Sequence, residues 1–162
     1  MTELTQERLK ELLSYDPETG LFINLTQRSN VKAGAVAGNK RKDGYIRITV
    51  DKKSYFAHRL ALFYMYGYFS VLQIDHINQI KSDNRIINLR LVTAQQNQQN
   101  VSKPHVDNKS GYLGVSWNKN KKKWIAQITA NKEFKYLGCF NSPEEASEEY
   151  LKAKQKLHPF WK

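Results

Sequence analysis

The first half of the chain alternates between short amphipathic stretches and turn residues, which predicts a mixed α+β fold. Leucines at positions 9, 12 and 13 fall on one side of a helix, and Pro17 and Gly20 mark the turn after it. Gly67 ends a second, more apolar helix. The predicted elements are a helix over 5–14, a strand over 21–25, hairpin strands over 45–50 and 54–57, and a helix over 58–66.

The last third of the chain predicts three antiparallel strands and a helix. Turn residues separate apolar runs at 110–117, 124–130 and 134–140, and Ser142-Pro143 is a helix start signal. Within the middle run, alternation places Trp124, Ala126 and Ile128 on one face and Gln127 and Thr129 on the other. The helix side chains expected to cover the first face are Ala146, Tyr150 and Ala153.

Between these parts lies a polar stretch, residues 73–100, with the order strand, loop, strand, helix. Ile74 precedes Asp75-His76, a polar turn covers 78–84, and residues 89–92 read as a short strand. Thr93 is the expected helix start, with Gln96 placed to complete a capping box. The pattern brings one acid and one histidine to the end of a strand.

These residue types suit the hydrolysis of a phosphodiester. Histidine has an unperturbed pKa near neutrality and is therefore the ordinary base for deprotonating water. Hard divalent cations prefer oxygen ligands, which Asp75 and the amide of Asn97 could supply. Adjacent strand residues point to opposite faces, so Asp75 and His76 can serve different atoms.

Asp75-His76, Asn88 and Asn97 resemble the HNH nuclease motif in its His-Asn-Asn form, also called the ββα-metal or His-Me finger. The likeness extends from about residue 55, including Ala57-His58-Arg59-Leu60, to residue 100. It implies that His76 is the general base, that Asp75 and Asn97 bind magnesium or alternatively manganese, and that Asn88 braces the finger loop. Two alternatives remain open: a polar hairpin without catalytic function, or a catalytic role for His58.

The C-terminal third resembles the plant APETALA/ethylene-response-factor DNA-binding domain. The matching segments are Gly111-Tyr-Leu-Gly-Val-Ser-Trp, Lys123-Trp-Ile-Ala-Gln-Ile, Leu137-Gly-Cys-Phe and Glu144-Glu-Ala-Ser-Glu-Glu-Tyr. The resemblance implies that one sheet face reads double-stranded DNA, although several reading positions are arginine in the plant proteins. A protein-interaction or RNA-binding sheet is the alternative. The expected DNA contacts are Ser116, Asn118, Lys121, Lys122, Lys123, Gln127, Thr129, Lys135 and Tyr136, together with Arg85 and Arg90 of the nuclease motif.

Composition agrees with a polyanion partner. The 162 residues carry 26 Lys and Arg against 15 Asp and Glu, a formal net charge of +11. The basic tip 40–42 is either a solvated loop or a phosphate contact. Cys139 is the single cysteine, so neither a disulfide within the chain nor a cysteine-ligated structural zinc is expected. No signal peptide or membrane helix is predicted, which favours the cytoplasm of a host cell.

The sequence therefore predicts a nuclease domain over 1–100 with its ββα-metal core at about 70–100, a linker over 101–108, and a DNA-binding domain over 109–162. The expected activity is that of a metal-dependent, sequence-directed DNA endonuclease of phage or homing type. We expect it to leave a 3′-hydroxyl and a 5′-phosphate and to nick DNA as a monomer or weak homodimer. The alternatives are an inactive DNA-binding regulator and a structure-specific nuclease.

Overall fold

The computed structural model describes residues 4–27, 31–101 and 103–161. The chain divides into two compact units, Met1–Ala94 and Gln95–Lys162. This boundary lies a few residues before the predicted end of the nuclease domain, inside a short helix. The described residues form several small antiparallel sheets and four α-helices, a mixed α and β architecture. None of the described helices is long and apolar enough to cross a membrane.

The first unit contains three small antiparallel sheets and two helices. Strands β1 and β2 form the first sheet, β3, β4 and β5 the second, and β6 and β7 the third. The bounds are α1 Gln6–Leu12, β1 Leu13–Tyr15, β2 Phe22–Asn24, β3 Asn39–Lys40, β4 Ile46–Val50, β5 Lys53–Phe56, α2 Ala57–Tyr66, β6 Gln73–His76 and β7 Leu89–Val92. Helix α3, Ala94–Gln99, begins at the unit boundary.

The first helix is shorter than the leucine spacing predicts. Thr5 caps it by accepting a hydrogen bond from the Arg8 amide at 3.1 Å, but the chain turns extended at Leu13, with φ −136° and ψ 139°. Leu13 is fully buried and starts β1, which pairs with β2. Its side chain therefore reaches the core from a strand and not from the last helical turn, a difference that apolar spacing alone cannot show.

The second unit contains the predicted three-stranded sheet, with strand order β10-β9-β8, and one long helix. The bounds are β8 Val115–Asn118, β9 Lys123–Ala130, β10 Glu133–Phe140 and α4 Pro143–Leu157. The predicted faces of β9 are confirmed, because Ala126 and Ile128 are buried while Gln127 and Thr129 are exposed. Ala146 and Tyr150 of α4 are buried in the same cluster. Ser142 caps α4 by accepting the Glu145 amide hydrogen at 3.2 Å.

Strand β8 begins later than predicted, at Val115. Gly111 and Gly114 have φ of +74° and +67°, a left-handed backbone that a strand does not use. A Cβ on Gly114 would lie 2.1 Å from the Tyr150 ring, so the turn before β8 packs directly on α4. Close packing at this turn therefore prevents the strand from extending back to Ser110.

The segment after α3 packs against the end of α4, within the second unit. Lys154 is almost fully buried, and its ammonium donates a hydrogen bond to the Val101 carbonyl. The Phe160 amide donates to Gln99 Oε1 at 3.5 Å. Burial lowers the pKa of Lys154 to about 8. These contacts join the end of α3 and Val101 to the last part of the chain within the second unit.

Candidate functional site

Asp75 and His76 occupy the end of β6, where pairing with β7 fixes both of them. In that pairing Asp75 lies opposite Arg90 and His76 lies opposite Leu89. Both side chains are buried, with 7% and 4% of their surface exposed. A carboxylate and an imidazole are costly to bury without partners, so their surroundings decide what each can do.

The partner of the His76 ring is an uncharged amide. His76 Nε2 lies 3.3 Å from Asn84 Oδ1, and Asn84 is 3% exposed. An amide oxygen only accepts, so this contact fits the tautomer in which Nε2 carries the hydrogen and Nδ1 is the basic nitrogen. Burial lowers the pKa of His76, while the Asn84 bond and the charge of Asp75 raise it in part. The ring is therefore neutral near pH 7, the state that a general base requires.

Asp75 has a charged partner instead. Arg90 donates to Asp75 Oδ2 from Nε at 2.9 Å and from Nη2 at 2.7 Å. The exposed fraction of the Arg90 side chain is only 18%. Arg90, which the sequence suggested as a DNA contact, thus lies against the predicted metal ligand, and the guanidinium compensates the carboxylate charge that burial would otherwise disfavour.

The loop between β6 and β7 is tied together by Asn88. Its Oδ1 accepts from the Asn78 amide at 3.0 Å, and its Nδ2 donates to Asn78 Oδ1 at 2.9 Å and to the Asp83 carbonyl at 2.8 Å. Arg85 donates two hydrogen bonds to the Asp83 carboxylate, at 2.8 and 2.6 Å. These bonds, with others, lower the pKa of Asp83 to about 2. Arg85, the other predicted DNA contact of this motif, is half-exposed while it makes this pair.

The turn after β1 supports the same loop from the N-terminal side. The Tyr15 hydroxyl donates to the Asn84 carbonyl at 2.7 Å in a buried setting. The Ile86 amide donates to the Pro17 carbonyl at 3.1 Å. Gly20 has φ of +73°, and a Cβ there would lie 2.4 Å from the Arg85 nitrogen and 2.5 Å from the Asn84 carbonyl carbon. The backbone that carries Asn84 is therefore held at close contact.

An aromatic cluster packs on the His76 ring. His58, at the start of α2, meets it edge-on, with ring centroids 5.1 Å apart, and Tyr45 lies 5.9 Å away. His58 also stacks on Phe56 at 5.2 Å. Burial, followed by the nearby His76, lowers the pKa of His58 to about 3. The structure therefore shows His58 packed within this aromatic cluster.

Positive charge gathers at the rim of this cluster. Lys81 donates from Nζ to the Asp43 carbonyl at 3.1 Å, and its ammonium lies 4.8 Å from the centre of the Tyr45 ring. The exposed tip 40–42 directly precedes Asp43 in the chain. The tip and Lys81 therefore form a basic edge beside Tyr45. The role of Tyr45 was not predicted, because a single aromatic at the start of an alternating strand carries no signal.

Within the described ranges, no group of three or more His, Cys, Asp and Glu side chains is placed to hold a metal ion. Asp75 offers one carboxylate in the first unit, and Asn97 lies in α3 in the part assigned to the second. The carboxylate of Asp75 is a hard oxygen ligand. It is of the kind that a divalent cation accepts while it keeps several waters and takes further oxygens from a phosphate.

The sheet of the second unit leaves the face opposite α4 exposed. Ser116, Gln127, Thr129 and Tyr136 lie on it, as predicted from alternation and alignment. Phe134 pairs with Thr129, is 63% exposed and belongs to the same face, although the sequence analysis did not select it. The position of Phe134 could have been predicted from the sequence, because the pairing of β9 with β10 follows from the two-residue turn between these strands.

The remaining predicted contacts of this sheet occupy its turn and its edge. Asn118, half-buried, accepts the Lys121 amide hydrogen at 2.9 Å. The Lys121 ammonium lies 5.6 Å from the centre of the Tyr136 ring. Lys122 has φ of +50° at the exposed tip of the turn, and Lys123 is exposed at the start of β9. Lys135 is exposed but lies opposite buried Ile128, on the α4 side of the sheet.

Comparison with known proteins finds a family to which part of the chain is similar. Residues 55–99 match a protein-family model described as HNH endonuclease. A solved structure of the HNH homing endonuclease I-HmuI, from work on its DNA binding and cleavage, is similar over 89% of this chain and 80% of that chain. The sequence identity is 24% and the TM-score is 0.42. No protein of curated function matches the sequence.

Proposed function

We propose, on the premise that residues 55–99 form an HNH nuclease domain, that the chain is a metal-dependent, sequence-directed DNA endonuclease. The match supports a nuclease, an enzyme that hydrolyses phosphodiesters. The observation that carries the finer proposal is the pair at the end of β6, where a neutral buried His76 adjoins an ionisable Asp75. Neutral imidazole next to a hard oxygen ligand is the combination that this hydrolysis needs.

His76 is the proposed general base. Its Nε2 is bonded to Asn84, so Nδ1 takes a proton from water as the water oxygen attacks phosphorus. The bond from phosphorus to the 3′ oxygen breaks, and that oxygen gains a proton from solvent. The products are a 3′-hydroxyl and a 5′-phosphate. Because the pKa of His76 is lowered by burial, its neutral form persists below the ordinary pH range of histidine.

Asp75 is the proposed ligand of a divalent cation, magnesium or manganese, and the sequence pattern adds Asn97 as the second. When bound, the cation supplies positive charge to the phosphate and to the leaving oxygen. Arg90 now holds Asp75 Oδ2, and it keeps the carboxylate oriented and its charge compensated. Asn88 positions the loop that carries Asn84, through its bonds to Asn78 and Asp83.

Double-stranded DNA is the proposed substrate, held by contacts in both units. The exposed face of β8, β9 and β10 would read bases in the manner of an APETALA/ethylene-response-factor sheet. Its exposed polar and aromatic side chains, with lysines at the turn, support this assignment. The basic edge formed by the tip 40–42 and Lys81 would contact phosphates beside His76.

Nicking by a monomer is the proposed mode of action. The chain presents a single Asp75-His76 pair, and one such site cuts one strand in each encounter. Cleavage of both strands would need a second copy or a second encounter. A phage or homing context remains a proposal drawn from the resemblance.

The test uses full-length protein and supercoiled plasmid carrying the target, with magnesium, manganese or excess EDTA. We expect nicking with either metal, none with EDTA, and a loss of roughly 10²–10⁴-fold in rate for His76→Ala with DNA affinity retained. His105→Ala is the matched control, because the side chain of His105 is 79% exposed in the second unit. Nicking in EDTA, or a wild-type rate for His76→Ala, would overturn the proposal, and binding without cleavage would indicate a DNA-binding regulator.

A further inference from the structure

We infer that Asn84 is a positioning residue for the proposed base: its side-chain oxygen fixes the His76 ring as the Nε2–H tautomer and thereby makes Nδ1 the atom that accepts the proton. This inference rests on the proposed function, because it concerns the same site. It assigns a role to a side chain outside the Asp-His, Asn88 and Asn97 pattern. Asn84 lies eight residues after His76 in the chain and faces it across the loop between β6 and β7.

The geometry leaves His76 Nε2 one role toward this amide. Asn84 Oδ1 lies 3.3 Å from it, and both side chains are at least 96% buried. The other end of the amide is engaged, because Asn84 Nδ2 donates to the Ser82 carbonyl at 3.4 Å. Rotating the amide by half a turn would place an N–H toward Nε2 and an oxygen toward the Ser82 carbonyl. The Ser82 contact therefore supports the orientation that presents Oδ1 to the ring.

The backbone of Asn84 is held independently of its side chain. Its carbonyl accepts the Tyr15 hydroxyl at 2.7 Å, and the backbone at positions 84 and 85 lies against Gly20 without room for a Cβ. An asparagine on a solvated loop would lack both constraints. Here the acceptor oxygen is fixed relative to β6, so it can select one tautomer of the histidine.

An uncharged acceptor suits this role. A carboxylate at the same position would accept the same hydrogen bond but would place a charge beside the ring. The amide orients the ring through a neutral hydrogen bond. Asn84→Asp therefore keeps the hydrogen-bond acceptor but changes the charge, which separates orientation from basicity.

The decisive measurement is the tautomer of His76 in ¹⁵N-labelled full-length protein, read from the two ring nitrogens by long-range ¹H–¹⁵N correlation. We expect the Nε2–H form in the wild type and a mixture of tautomers in Asn84→Ala. Asn24→Ala is the matched control: Asn24 is 5% exposed in the same unit and donates from Nδ2 to the Ala35 carbonyl at 2.9 Å. The control should leave the His76 signals unchanged.

Nicking rates provide the second measurement. Asn84→Ala should lose about 10- to 100-fold in kcat with little change in DNA affinity, the range found for hydrogen-bond partners that orient a functional histidine. Asn84→Asp should recover part of the rate, with the acid limb of its pH profile moved to higher pH. Asn24→Ala should keep the wild-type profile.

An Nδ1–H tautomer in the wild type, or an Asn84→Ala variant with unchanged tautomer and rate, would overturn the inference. Should Asn84→Ala fail to fold, the tautomer of His76 in the wild type and in Asn84→Asp decides the question. Absence of nicking by the wild type, with the Nε2–H tautomer present and lost in Asn84→Ala, would refute the proposed function and leave the positioning contact intact. The two failures are therefore distinguishable.

Discussion

Replacing Gly20 by alanine should disable the site without touching any proposed catalytic group. Gly20 lies on the turn after β1, with φ of +73°. An added Cβ would lie 2.4 Å from the Arg85 nitrogen and 2.5 Å from the Asn84 carbonyl carbon. Backbone atoms cannot rotate away as a side chain can, so the loop carrying Asn84 must move relative to β1.

Two effects determine how much stability and how much activity Gly20→Ala loses. The left-handed backbone costs an alanine about 1–2 kcal/mol. Restoring an ordinary contact near 3.4 Å requires a displacement of about 1 Å, a misplacement that can cost on the order of 10²-fold in rate. Gly34 separates the two effects, because its φ is +79° and a Cβ there would meet nothing within 4 Å. Gly34→Ala should therefore carry the backbone strain alone.

The assay compares Gly20→Ala and Gly34→Ala by thermal unfolding and by plasmid nicking at a temperature where both are folded. For a unit of this size 1 kcal/mol lowers Tm by about 4–8 °C. We expect Gly34→Ala to lower Tm by about 4–16 °C while nicking at the wild-type rate, and Gly20→Ala to lose more stability and about 10²-fold in rate. Equal stability losses and equal rates would refute the proposed coupling between the turn and Asn84.

Three further predictions concern His76, Arg90 and the exposed face of the three-stranded sheet. Because burial lowers the pKa of His76 and the base must be neutral, the acid limb of kcat/KM should lie below pH 6.5; a limb at or above 6.5 would contradict this. Arg90→Gln removes a cation that competes for Asp75, so calorimetric titration should show Mn²⁺ binding tightened by about tenfold, and unchanged or weaker binding would count against it. In binding assays across target variants, Gln127→Ala should relax preference at one base position by ~1–3 kcal/mol, whereas Lys121→Ala should weaken all sequences alike.

The parts of the fold that were predictable are those that local pattern determines. Alternation along β9 assigned Gln127 and Thr129 to the exposed face, and helical spacing assigned Ala146 and Tyr150 to the covered one. Each of these follows from a period of two or 3.6 residues within a single element. The Asp-His pair was predictable for a similar reason, since the two residues are adjacent and carry a recognisable chemistry.

The partners of that pair were not predictable from local pattern. The Tyr15 hydroxyl bonds to the carbonyl of Asn84, a residue 69 positions away, and no periodicity links the two. Arg90 was predicted as a DNA contact, together with Arg85, as an arginine of the nuclease motif. Only the register of β6 with β7 places it opposite Asp75 and leaves 18% of its side chain exposed. The sequence pattern therefore indicates which residues form the site, whereas tertiary pairing determines which side chains contact them.

The two neighbours at the end of β6 obtain opposite electrostatic surroundings from the same strand geometry. Asp75 has a guanidinium partner, which compensates its charge, and His76 has a neutral amide and an aromatic cluster, which favour the uncharged ring. Exchanging the partners would leave the carboxylate of Asp75 uncompensated, while a cation beside the ring would add to the effect of burial on His76. The alternation of β6 therefore does more than separate the two side chains. By placing them on opposite faces of the strand, one beside Arg90 and the other beside Asn84, it allows a carboxylate and a neutral base to coexist at adjacent positions.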